Sequence, residues 1–144
     1  MRIRLAALAL LPLAAGCGGS SPKEAASIPV TTTIAGATVS NHGFEDVRGG
    51  TSVNLDINDD YFEPTAIKGT RGQKLELVLE NYGKHRHNFT LPSEGIARDL
   101  RPGQKTTVTV HIPRTGAVGF YCKYHRQAGM AGGLAVYRKP PVTR

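Results

Sequence analysis

The chain has 144 residues, enough for one domain with appendages. Hydrophobic residues make up 40% and charged residues 20%, which excludes a disordered or fibrous protein. The formal charge is +7, and its excess lies late in the chain: eight Lys or Arg follow Asp99, but no Asp or Glu does.

Residues 1–16 read as a secretory signal. "MRIR" supplies two arginines, and "LAALALLPLAA" is an apolar run of 11 residues. A bilayer span needs about 20, whereas a basic start followed by a short apolar core fits a cleaved signal. The ending "LAAGC" resembles the lipobox of bacterial lipoproteins. That resemblance implies that Cys17 becomes the lipidated first residue of the mature chain. An exported protein with two cysteines is otherwise read as holding one disulfide. With lipid on Cys17, Cys122 has no partner, and a free thiol outside the cell needs something to hold it. A metal would do so.

Residues 18–50 are rich in Gly, Ser, Thr, Pro and Ala and carry few large apolar side chains. Such a segment cannot form its own core. With Cys17 it is expected to be a flexible tether over residues 17–50, with a root-mean-square span of roughly 30 Å. Only "TTTIAGATV" hints at an edge strand.

From residue 51 the pattern has period two. Val53, Leu55 and Ile57 share one face, as do Leu75, Leu77 and Leu79. His87, Phe89 and Leu91 follow, then Val108, Val110 and Ile112, then Val118, Phe120 and Cys122, and finally Leu134 and Val136. Strict alternation marks half-buried strands. "KGTRGQ", "NYGK", "LPSEG", "RPGQ" and "PRTG" punctuate them as turns. The prediction is an all-β, antiparallel sandwich over residues 51–138, followed by a tail over 139–144. Cys122 and His87 both fall on core-facing positions, and a buried imidazole needs a partner.

The densest chemistry is in "YCKYHRQAGM", residues 121–130. Cys122, His125 and Met130 lie within nine residues of one another, in a chain with two Cys and two Met. Singly, a Cys is commonly a small buried hydrophobe, a Met a core filler and a His a surface residue. Together with an inward His upstream they point to a metal. The step from Cys122 to His125 cannot follow one strand face, so it lies on a loop.

"YCKYHRQAGMAG" resembles the copper loop of plastocyanin-like cupredoxins, with its Cys-x2-His-x4-Met spacing. "NYGKHRHNFTLP" and "YFEPTAIKGTRGQKLELVLEN" are similar to the segments leading to the family's first ligand. The resemblance implies a Greek-key sandwich of about 7–8 strands and a single type 1 copper, Cu(I)/Cu(II), held by His87, Cys122, His125 and Met130. It gives Asn88 a supporting role, tying the two ligand segments together and offering its backbone N–H to the Cys sulfur. It favours His87 over His85 because the ligand directly precedes Asn. His42 and His111 are expected at the surface. The chemistry agrees: two His, a thiolate and a weak axial thioether form a blue-copper donor set, whereas structural zinc rarely uses a thioether.

The expected function is an extracytoplasmic, lipid-anchored carrier of single electrons, monomeric and not an enzyme, working with redox proteins and not with nucleic acid. A copper carrier or storage protein of the same fold is the alternative, and a metal-free interaction module is a third reading. His125 is expected at the solvent edge within a small apolar patch. Lys84, Arg86, Lys123 and Arg126 flank the ligand segments and are expected to ring that edge as a docking surface for an acidic partner.

Overall fold

The computed structural model describes residues 31–139, so the signal segment, Cys17 and residues 140–144 lie outside it. Twelve strands run in chain order: β1 (Thr31–Ile34), β2 (Ala37–Ser40), β3 (Phe44–Asp46), β4 (Ser52–Asn58), β5 (Tyr61–Glu63), β6 (Ala66–Gly69), β7 (Lys74–Asn81), β8 (His87–Leu91), β9 (Ile96–Leu100), β10 (Lys105–His111), β11 (Ala117–Tyr121) and β12 (Ala131–Val136). They form a four-stranded sheet in the order β10-β7-β4-β5 and a six-stranded sheet in the order β3-β6-β12-β11-β8-β9. β1 and β2 pair as a separate hairpin.

The alternation behaves as strand geometry requires, with successive side chains on opposite faces. Val53, Leu55 and Ile57 are buried, as are Leu75, Leu77, Leu79, Val108 and Val110. The six-stranded sheet answers with Ile67, Phe89, Leu91, Phe120 and Leu134. At the centre Phe62, Phe89 and Phe120 meet, each of the first two with its ring centroid 5.1 Å or 6.4 Å from its neighbours. Phe62 meets the other two rings edge to face, which suits the aromatic quadrupole. Truncating one such ring to Ala costs about 3–5 kcal/mol. Phe62, Phe89, Phe120, Cys122 and Met130 belong to one buried core cluster.

Three expectations need correction. The sandwich is not wholly antiparallel: β4 runs parallel to β7, and β6 runs parallel to both β12 and β3. The chain crosses between sheets from β7 to β8, from β9 to β10 and from β10 to β11, so strands distant in sequence become neighbours. More strands are found than the 7–8 expected because β1, β2 and β3 lie in the segment read as tether and β5 has only three residues, too few to show a period.

The third correction concerns the tether. Residues 31–46 form strands, and Val39 and Val47 are buried. The reason lies elsewhere in the chain. Gly133 has no side chain, and a methyl there would strike Ile34. The outer face of β12 is thus flat enough to receive the hairpin. Thr65 fastens it: its Oγ1 donates to the Ser40 carbonyl at 3.0 Å and accepts from the His42 N–H at 2.7 Å. The N–H of the same Ser40 donates to the Gly129 carbonyl at 3.0 Å, so the hairpin reaches the ligand loop.

Candidate metal centre

The loop after β11 is closed by its own backbone. The Cys122 N–H donates to the Met130 carbonyl at 3.0 Å, His125 N–H to the Cys122 carbonyl at 3.2 Å, and Met130 N–H to the His125 carbonyl at 3.2 Å. A single 3₁₀ turn, Arg126–Ala128, carries the chain back. Gly129 ends it at φ 88°, a left-handed conformation that favours glycine. Met130 is then delivered fully buried at the head of β12.

His87 arrives at the start of β8 from a turn organised by Asn81. The buried Asn81 amide donates to the His85 and Leu100 carbonyls, each at 2.9 Å, and its Oδ1 accepts from the Gly83 N–H at 2.9 Å. His87 is fully buried. Its Nδ1 faces Cys122 Sγ at 3.9 Å, and His125 Nδ1 faces the same sulfur at 3.6 Å. The three donor atoms lie within 4.8 Å of one another. The two imidazole centroids are 4.9 Å apart. Cys122 is a buried free thiol.

Asn88 lies between β9 and the ligand loop. Its backbone N–H points at Cys122 Sγ, 3.4 Å away. Its side chain donates to Asp99 Oδ1 at 2.8 Å and to the Arg98 carbonyl at 3.2 Å, and accepts from the Lys123 N–H at 3.3 Å and from the Thr90 hydroxyl. One residue thus joins β8, β9 and the ligand loop. His85 is turned outward with its side chain 71% exposed, away from the cluster. His42 stacks on Tyr61, and His111 pairs with Glu94.

Asp59 is the residue that sequence reasoning missed. It sits between β4 and β5, and its Oδ1 lies 3.0 Å from His87 Nε2, 3.3 Å from His85 Nδ1 and 2.9 Å from the Lys84 N–H. The bond to His87, helped by the Lys84 N–H and His85, holds its carboxyl at about 2. The only signal was an acidic turn, "NDDY", far upstream. Asp99 was equally out of view as a partner. Lys123, with Asn88 and Tyr124, holds its carboxyl at about 2, and the ion pair with Lys123 measures 2.8 Å.

These acids revise the picture of the rim. Lys84, Arg86, Lys123 and Arg126 are all exposed, but two carboxylates stand among them. Arg126 lies over the Tyr121 ring at 4.2 Å. His125 is half-buried, and its surroundings are Lys123, Tyr124, Arg126, Gln127 and Ala128, so the expected apolar patch is a mixed one.

The donor set fits copper. Metal–nitrogen bonds of about 2.0 Å and metal–sulfur bonds of about 2.3 Å allow N–S separations up to about 4.3 Å around one ion. The separations of 3.6 and 3.9 Å fall within that reach. Asp59 Oδ1 faces Nε2 of His87, so Nδ1 is the ring nitrogen turned toward the sulfur. A buried thiol, two imidazoles and a thioether form a type 1 copper set.

Comparison with known proteins agrees. The family model for the cupredoxin-like domain matches residues 22–136, most of the chain. Plastocyanin of Prochlorothrix hollandica is 31% identical over 83 residues, covering 52% of this chain and 62% of the relative, so the chain spans less than two thirds of that protein. Dithionite-reduced auracyanin from Roseiflexus castenholzii has a similar fold, with a TM-score of 0.53 at 18% identity over 62% of this chain and 98% of the other. The metal-binding domain of the Cu(I)-exporting P-type ATPase CopA of Streptococcus pneumoniae D39 superposes with a TM-score of 0.51 at 15% identity, over 65% of this chain and 97% of the other. The chain belongs to the cupredoxin-like family.

Proposed function

We infer that this protein is a blue-copper electron carrier that works outside the cytoplasm, anchored to a membrane through lipid on Cys17. One observation carries the electron-transfer reading: His87 Nδ1 from β8 converges with Cys122 Sγ and His125 Nδ1 of the loop that ends in buried Met130. His87, Cys122 and His125 would hold the ion strongly and Met130 weakly. Copper in such a set supplies a one-electron couple between Cu(I) and Cu(II).

The chain's own part is to hold the donors still. Thiolate and thioether suit the reduced ion and imidazole suits both states, so one fixed cage serves both. The backbone bonds of the 122–130 loop fix three donors relative to one another. Asn88 fixes that loop to β8 and gives an N–H to the sulfur, which tunes the potential. Full burial of Cys122 and Met130 keeps water from the sulfur side. His125 is the half-buried donor, so it is the route to the surface. One electron enters from a reduced donor protein and leaves to an oxidised acceptor, and no bond is made or broken. Lys84, Arg86, Lys123 and Arg126 favour an acidic partner by raising the encounter rate. The export and anchor reading rests on "MRIR", the apolar run and "LAAGC".

The test is copper titration of the metal-free protein with spectroelectrochemistry. One equivalent should bind, turn intensely blue when oxidised and bleach reversibly with a one-electron Nernst slope. Loss of copper to a competing chelator on each reduction would instead make it a copper carrier.

A further inference from the structure

We propose that Asp59 is a positioning residue that sets the His87 tautomer and lowers the reduction potential of the site. The inference rests on the copper reading above and deepens it.

Three observations carry it. First, the contact is direct: Asp59 Oδ1 lies 3.0 Å from Nε2 of a histidine that is itself fully buried. No other polar partner of that nitrogen is found among the described residues. Second, the carboxylate is held in place from its own side. The Lys84 N–H donates to it at 2.9 Å and His85 Nδ1 lies 3.3 Å away. Two of the residues just before His87 therefore orient the group that His87 touches. Third, the approach is built into the chain. Gly83 stands beside the pair, and a methyl there would sit 2.8 Å from His87 Nε2 and closer still to Asp59 Oδ1. Any side chain at residue 83 would separate the two.

The chemistry follows from charge. A ring N–H given to an anionic carboxylate leaves the opposite nitrogen more basic than one given to a neutral carbonyl. A more basic Nδ1, with a full negative charge behind it, favours the more positive oxidised ion over the reduced one. Asp59 therefore lowers the potential. The partly exposed side of Asp59, 35% of its side chain, screens this effect without removing it. Asp60, the next residue, carries the same charge but is exposed, with a left-handed backbone at φ 70°.

The experiment has two arms on the full-length mature protein. In the metal-free wild type, the nitrogen-15 shifts of the imidazoles report the tautomer, and His87 should be protonated at Nε2. In the copper-loaded protein, Asp59→Asn keeps an acceptor but removes the charge. It should stay blue while its Cu(II)/Cu(I) affinity ratio falls on the order of tenfold, which raises the potential by about 59 mV for a one-electron couple. Asp59→Ala should raise it at least as far, Asp59→Glu should recover part of the shift, and Asp60→Asn should stay near wild type. A folded, blue Asp59→Asn variant at the wild-type potential would overturn the proposal. So would equal shifts in the Asp59 and Asp60 variants, or a metal-free His87 protonated at Nδ1. If Asp59→Asn fails to fold, the wild-type tautomer still decides. A wild type that binds copper without colour would defeat the copper reading, and the metal-free measurement would stand apart from it.

Discussion

The two segments that meet at the centre are held in opposite ways. The loop from Cys122 to Met130 brings three donors within nine residues and fastens them with its own backbone hydrogen bonds. The arm from Asn81 to Asn88 brings one donor, and side chains fasten it: Asn81 from beneath, Asp59 from another turn, Asn88 across to the loop. A self-closing loop tolerates change around it. An arm held from outside depends on residues far away in sequence. Damage to the loop should therefore strike the metal chemistry itself, and damage to the arm should first appear as lost stability or a shifted potential.

The largest effect should come from the loop. Cys122→Ser removes the only cysteine sulfur among the described residues, so the oxidised copper protein should lose its blue colour entirely while the metal-free protein still unfolds cooperatively. An absorption spectrum and a denaturation curve together check this. If the variant stayed blue, Cys122 would not be the chromophoric ligand.

On the arm, Asn81→Ala removes three hydrogen bonds from a fully buried residue and strands the groups they served. Buried unpaired groups cost about 1–3 kcal/mol each, partly relieved by relaxation, so a loss on the order of 3 kcal/mol is expected in chemical denaturation of the metal-free protein. Wild-type stability in this variant would mean that the arm is held by its own backbone after all.

The rim sharpens the contrast further, because each segment brings basic residues and an acid from elsewhere stands near each. Reversing Lys84 or Arg86 to Glu should slow electron transfer to an acidic partner several-fold at low salt, without bleaching the copper. Asp99→Asn, which frees Lys123, should speed it. Both effects should shrink as the Debye length falls from about 30 Å at 0.01 M to about 8 Å at 0.15 M. Stopped-flow rates against ionic strength check this. A flat dependence would leave these residues as ordinary surface charge.

The smallest effect is a pH dependence. Asp99 has a carboxyl held at about 2 by Lys123, below the usual value near 3.9. A depressed carboxylate stabilises the fold above its unfolded value, and that contribution is lost as pH falls toward 2. The stability difference between wild type and Asp99→Asn should be constant from pH 5 to 7 and shrink between about pH 4 and 2. A difference that did not change with pH would place the effect in packing.

This contrast also accounts for what could be read in advance. The alternating strands and the Cys-His-Met spacing are local patterns, and burial of Leu55, Leu77, Phe120 and Cys122 follows from them. Asn88 was legible because it adjoins a ligand. Asp59 and Asp99 were not, since their role depends on which strands the Greek-key crossovers bring together. The hairpin of β1 and β2 was read as tether for a related reason. Its apolar content is too small for a core, and what it packs on is a glycine, Gly133, whose lack of a side chain matters only after folding.

The central claim is that one copper is shared between the loop and the arm through His87 and not through its neighbour His85. Absorption spectra of oxidised, copper-loaded His85→Ala and His87→Ala test it directly. His85→Ala should be as blue as wild type, and His87→Ala should be colourless or changed in spectrum. A blue His87→Ala beside a colourless His85→Ala would contradict the account.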